Sequence, residues 1–156
     1  MKDEKYYFEK TYELAKENCQ KGEDPFACVL VNEHGEIIEW DVSQGEAIDK
    51  TAHDIMSLVR KCSVKYSREF IEKCTIYCLC EPCVMCSAAM FWCGFKKVVF
   101  EMSEEELNEM LPGGLSISSR EFCERAPIHM ESTGPFKGLT KSRELVKKWA
   151  DIILGK

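Results

Sequence analysis

The amino-acid sequence predicts an α/β fold built on a mixed five-stranded sheet, and three observations carry that expectation. Five apolar runs of strand length alternate with amphipathic stretches of helical spacing. The first two runs are separated by Asn32-Glu33-His34-Gly35, turn chemistry that joins them as an antiparallel hairpin. Residues 74–100 then read strand, helix, strand, a crossover whose two strands must run parallel. With 156 residues and 45% hydrophobic positions the chain fills one core, so a single domain over residues 1–156 is expected.

The elements follow in order. Residues 4–20 place Tyr7, Phe8, Thr11, Tyr12, Leu14, Ala15 and Cys19 near a helical repeat, with Asp3 as N-cap and Gly22 as stop. Residues 26–31 and 37–40 are the hairpin strands, and His34 at its tip is a solvated turn residue. Thr51 or Asp49 can cap a helix that carries Ile55, Met56, Leu58, Val59 and Cys62 inward. Residues 74–79 form a buried strand, residues 83–93 a helix in which Ser87, Ala88 and Ala89 permit close packing, and residues 96–100 a fourth strand. Ser103 caps a helix that Pro112-Gly113-Gly114 ends. Residues 128–131 supply the last strand, with His129 a core or edge histidine. A final helix over residues 140–154 turns Leu145, Val146, Trp149, Ile152 and Ile153 inward.

Composition narrows the function. Ten cysteines in so short a chain would suit a disulfide scaffold, but the charged start Met1-Lys2-Asp3-Glu4-Lys5 has no apolar signal region, so reduced thiols and a cytoplasmic setting are expected. No apolar run is long enough to cross a bilayer, which argues against a membrane partner. A net charge of -6 argues against a broad nucleic-acid footprint and favours a small neutral substrate. The basic residues Lys61, Lys65, Arg68 and Lys73 read as a solvated face.

One stretch organises the rest: Cys80-Glu81-Pro82-Cys83-Val84-Met85-Cys86, read with His53 about thirty residues upstream. Two thiols at C-x-x-C spacing can be presented from one turn at a helix start, where the helix N-terminus favours thiolates. His53, Cys83 and Cys86 then supply three of four tetrahedral positions for one Zn2+ per chain and leave the last for water, the pattern of a catalytic zinc. The alternative is a closed structural zinc site, with Cys80 or Cys28 as the fourth ligand. Cys28, Cys74, Cys78 and Cys80 otherwise behave as small hydrophobes on strands.

The order of these elements resembles the zinc-dependent cytidine and deoxycytidylate deaminase superfamily, whose signature is H-x-E followed by P-C-x-x-C. The resemblance runs from about Pro25 to Phe100. Pro25-Phe26-Ala27-Cys28 is similar to P-F-G-A, Asp49-Lys50-Thr51-Ala52-His53 is similar to D-P-T-A-H, and Glu81–Cys86 with Trp92 is nearest the guanine deaminase and transfer-RNA adenosine deaminase branch. It implies a three-layer α/β/α cytidine-deaminase-like fold, a parallel last strand pair, a homodimer, a nucleobase or nucleoside as the small-molecule partner, and a supporting role for Glu81 in the thiolate turn. A substrate pocket is assigned to Phe26, Asp41, Ser43, Ala52 and Trp92, with Phe26 and Trp92 as stacking rings.

The sequence departs from the signature at its glutamate, which in the family moves protons between water, ring nitrogen and leaving amine. Ile55 stands there, and Asp54 is the nearby carboxylate. If nothing is deleted, Asp54 points about 100° away around the helix and Ile55 makes an apolar wall. If one residue is deleted after His53, Asp54 takes the glutamate's place. Met56 and Arg60 fit the ungapped register better. Ser43 falls where the family carries a base-contacting asparagine, with Asp41 the nearest alternative, and serine lacks the amide's paired donor and acceptor. Two functions stay open: a zinc-dependent hydrolytic deaminase of altered activity using Asp54, and an inactive deaminase-fold protein that binds a nucleobase, nucleoside or protein partner.

Overall fold

Five strands line up in the order β2-β1-β3-β4-β5, and helices cover both faces of the sheet they form. The computed structural model describes residues 2–156. Helix α1 (Glu4–Gln20) leads into β1 (Ala27–Val31) and β2 (Ile37–Val42); α2 (Asp54–Lys65) and the short α3 (Arg68–Ile71) lead into β3 (Thr75–Cys80). After α4 (Val84–Cys93) come β4 (Lys97–Met102), α5 (Glu104–Met110), α6 (Ser119–Arg125), β5 (Glu131–Thr133) and α7 (Ser142–Ile153). β1 is antiparallel to both β2 and β3, whereas β3–β4 and β4–β5 are parallel, so the sheet is mixed as expected.

The two-residue period of the strands sorts the core into two halves. Cys28 and Leu30 of β1, with Ile76 and Cys78 of β3, face α2 and α4 through Ile55, Leu58, Val59, Cys62, Cys86 and Met90. On the other face Val29, Val31 and Tyr77 meet Tyr7 and Phe8 of α1, and Ala27 and Leu79 meet Ala15 and Leu145. These are the three layers.

Local chemistry fixes the ends. Asp3 accepts from the Tyr6 N–H at 3.0 Å and caps α1. Ser103 and Glu106 form a reciprocal capping box at the start of α5. Gly94 ends α4 with φ of +89°, and a β-carbon there would press on the Arg68 side chain at 3.0 Å.

Three expectations are corrected, and two short helices are added. The N-cap of α2 is His53, without a side-chain cap bond, and not Thr51 or Asp49. Asp49 instead accepts from the Thr51 N–H and hydroxyl at 2.7 and 2.6 Å, building the turn that precedes the helix. The last strand lies at 131–133 rather than 128–131, because pairing begins where the Glu131 N–H reaches the Lys96 carbonyl at 2.7 Å. Helices α3 and α6 have four and seven residues, too few for an apolar repeat to show. Ile152 and Ile153 are 77% and 53% exposed: the inner line of α7 is Ser142, Val146 and Ala150, Ile152 points well away from it, and Ile153 is the last helical residue. None of the ten cysteines is disulfide-bonded, and among the described residues no helix is long and apolar enough to cross a membrane.

Candidate metal centre

The carboxyl end of β3 meets the amino ends of α2 and α4, and the three expected ligands converge there. His53 and Cys83 are the N-cap residues of those helices, and neither uses its side chain to cap. Cys86 lies in the first turn of α4. His53 Nδ1 is 3.6 Å from each of the Cys83 and Cys86 sulfurs, and the three ligand atoms all lie within 4.8 Å of one another. A tetrahedral zinc roughly 2.0–2.1 Å from nitrogen and about 2.3 Å from sulfur spans a nitrogen–sulfur separation of about 3.6 Å. Both nitrogen–sulfur separations therefore match those the ion would impose.

The electrostatics agree. The Cys83 thiol is lowered to about 4 by hydrogen bonding from Cys86 and His53, against burial, whereas Cys86 is pushed well above the ordinary thiol value by Cys83 and by burial. His53 is raised, first by its bond to Cys83. One thiolate beside a partner that retains its proton is the arrangement a divalent cation replaces, releasing that proton. Among the described residues no other thiol joins this ligand cluster. Cys80 borders the same cavity with its thiol pushed up by burial, and Cys28 directs its S–H to the Asp41 carbonyl at 3.8 Å.

A cavity of about 110 Å³ opens beside the triad. Asp54 and Ile55 both border it. Ile55 is 1% exposed, packs into the core and presents an apolar side chain to the cavity. Asp54, however, is not turned away: its charge is felt by the thiols of Cys28, Cys78, Cys80 and Cys86. Burial raises its carboxyl to about 6, opposed by His53 and by the N–H groups at the start of α2.

The other expected pocket residues divide. Phe26 and Ser43 line the cavity. Phe26 meets Trp149 of α7 edge to face at 5.3 Å. Ser43 is fixed by its backbone, which donates to the Phe26 carbonyl at 3.0 Å and accepts from Asn18 Nδ2 at 2.8 Å. Asp41, Ala52 and Trp92 lie outside the lining. Asp41 pairs with Lys61 at 3.2 Å and accepts from the Val42 N–H. Ala52 is buried, and its backbone bonds Asp49 and Gln44. Trp92 is 75% exposed and borders a separate groove with Ile117 and Phe122, because it points from α4 away from the cysteines.

Two acidic residues were not anticipated at the cavity, Asp24 and Glu104; they line it together with Glu81, which was expected to support the thiolate turn. Glu81 is a brace. Its Oε2 accepts from the Glu104 N–H at 2.9 Å, and its Oε1 accepts from the Ser119 N–H at 2.8 Å and hydroxyl at 2.6 Å, joining the starts of α5 and α6 to the thiolate turn. Burial pushes Asp24 up and raises Glu104 to about 7, the latter helped by Cys83 and Glu81. Glu104 reaches the cavity because β4 runs parallel to β3 and ends beside it, where such sheets carry their chemistry.

Comparison with known proteins places this geometry. Residues 1–102 match the profile of the cytidine and deoxycytidylate deaminase zinc-binding region. The chain is 30% identical over 141 residues to a probable cytosine deaminase of Schizosaccharomyces pombe, covering 83% of this chain and 82% of the other. It is 31% identical over 102 residues to the tRNA-specific adenosine deaminase of Aquifex aeolicus, covering 65% and 67%. The solved guanine deaminase of Nitrosomonas europaea superposes with a TM-score of 0.76 at 17% identity, over 96% of this chain and 86% of that one, and shares the fold. The profile match over the ligand-bearing residues, the relatives and the fold agree: the chain belongs to the cytidine and deoxycytidylate deaminase zinc-binding family.

Proposed function

We propose that the protein is a zinc-dependent hydrolytic deaminase of a nucleobase or nucleoside, with one zinc per chain held by His53, Cys83 and Cys86 and with Asp54 as its proton carrier. The observation that carries this reading is the Asp54 carboxylate, which shares one small cavity with all three metal ligands. Zinc bound there would acidify a water and so supply the nucleophile. Asp54 would take the proton of that water, deliver it to the ring nitrogen beside the amine-bearing carbon, and later protonate the amine. A carbon–oxygen bond forms, the carbon–nitrogen bond breaks, and ammonia leaves. Phe26 supplies a flat face against the heterocycle and Ile55 keeps bulk water from the reacting carbon. Residues 1–156 act as one domain in this reading. Its ten free cysteines suit a reducing cytoplasm, and the family resemblance supports a homodimer.

The probable cytosine deaminase among the relatives directs the first assay to cytosine, followed by guanine, adenine and their nucleosides. Zinc-loaded protein is expected to release ammonia, Cys83→Ala to release none, and Asp54→Asn to lose about a hundredfold in rate or more. Full activity in Asp54→Asn would remove Asp54 from the mechanism.

Ile55 favours a second reading, a scaffold that has lost its chemistry, because it puts an apolar side chain in the cavity wall where the family signature carries its glutamate. Ammonia release that appears in Ile55→Glu and is absent from the parent would select it.

A further inference from the structure

The cavity has an acidic collar, and from it we infer that Asp24 and Glu104 make the site selective for amino-bearing heterocycles that carry no phosphate. This inference rests on the cavity being a base-binding site, and it names two specificity residues that the family signature does not contain.

The collar is placed by topology. β1 and β4 flank β3 in the sheet. Because β1 is antiparallel and β4 parallel to β3, the amino end of β1 and the carboxyl end of β4 lie at the same edge as Cys80. Asp24 sits in the segment entering β1, and Glu104 opens α5 just after β4. Their strands are two interstrand spacings apart, roughly 10 Å, with the thiolate turn between them. Both residues line the cavity, on either side of the metal triad.

No lysine or arginine lines the cavity. Lys50, whose charge reaches Asp24, lies outside the lining and pairs with Glu46. Of the helix starts at the cavity, that of α5 is already engaged by a carboxylate: its Glu104 N–H is bonded to Glu81 Oε2 at 2.9 Å. Two thiolates would balance a divalent zinc, and no lysine or arginine of the lining offsets the carboxyl groups of Asp24 and Glu104. A phosphate brought into this collar meets like charge, whereas the N–H and NH2 groups of a base find acceptors. Glu104 has room for that role: its backbone is tied to Glu81, and among the described residues no group hydrogen-bonds its carboxylate.

The test measures calorimetric binding of cytosine, cytidine and cytidine 5′-monophosphate, and of the guanine series, to the zinc-loaded full chain at low salt. The phosphate-free member of at least one series is expected to bind about tenfold or more tighter than its monophosphate. That ratio should shrink in Asp24→Asn and Glu104→Gln, persist in Glu104→Asp, and narrow as salt is raised. Glu69→Gln, on the exposed α3, serves as the charge control that leaves the ratio alone. A monophosphate that binds the parent as tightly as the base overturns the inference. So does a ratio unmoved in both neutral variants at full zinc content, or the failure of every base to bind at millimolar concentration. Selective binding without ammonia release leaves this inference standing and overturns the deaminase reading instead.

Discussion

The Glu81 carboxylate has all three of its donors inside the protein, two of them backbone N–H groups at the starts of different helices. It is 7% exposed, so its removal leaves those donors with little water to replace it. Glu81→Ala is expected to cost about 3 kcal/mol in urea unfolding and to lower zinc content, since Pro82 and Cys83 follow directly in the chain. Glu81→Gln, which keeps an acceptor oxygen, is expected to lose less on both measurements. The metal ligands were legible in the sequence because C-x-x-C spacing and one histidine define a donor set before any fold is known. Asp24 and Glu104 were not, because nothing local marks them. They reach the cavity only through the pairing of β1 and β4 with β3. Asp54 and Ile55 were legible as a question of register, and both side chains border the one small space at the start of α2.

At the level of elements, β2 is fastened to α2 by charge. Glu39 pairs with Lys65, lies 3.7 Å from Lys61 and accepts from the Tyr66 hydroxyl at 3.1 Å. The bond from Lys65 holds the Glu39 carboxyl below the usual carboxylate range, although burial pushes the other way. A lowered folded value means that the interaction stabilises the fold above the unfolded carboxylate pKa of about 4.3 and is lost as pH falls through the folded value. Glu39→Gln is therefore expected to melt below the parent at pH 7, with the difference closing as thermal scans move from about pH 5 toward pH 3. The long elements could be read from periodicity. The short ones could not: α3 and α6 are declared only by the caps Ser67 and Ser118, and β5 begins where Lys96 offers a carbonyl rather than where the apolar run begins.

For the whole molecule, the centre joins segments that are distant in sequence. His53 lies 30 and 33 residues from Cys83 and Cys86, and the α2–α3–β3 connection fills the interval. Chelation of zinc-loaded protein is expected to lower the melting temperature by roughly 10 °C, while Cys83→Ala melts at one temperature with or without chelator. Part of that difference belongs to the unfolded chain. A link between residues about thirty apart removes loop conformations whose loss is equivalent to roughly 3–4 kcal/mol. None of the ten cysteines forms a disulfide. An ion shared by His53, Cys83 and Cys86 would do the work of a disulfide: a covalent-like staple across the α2–α3–β3 connection, withdrawn by chelation instead of by reduction.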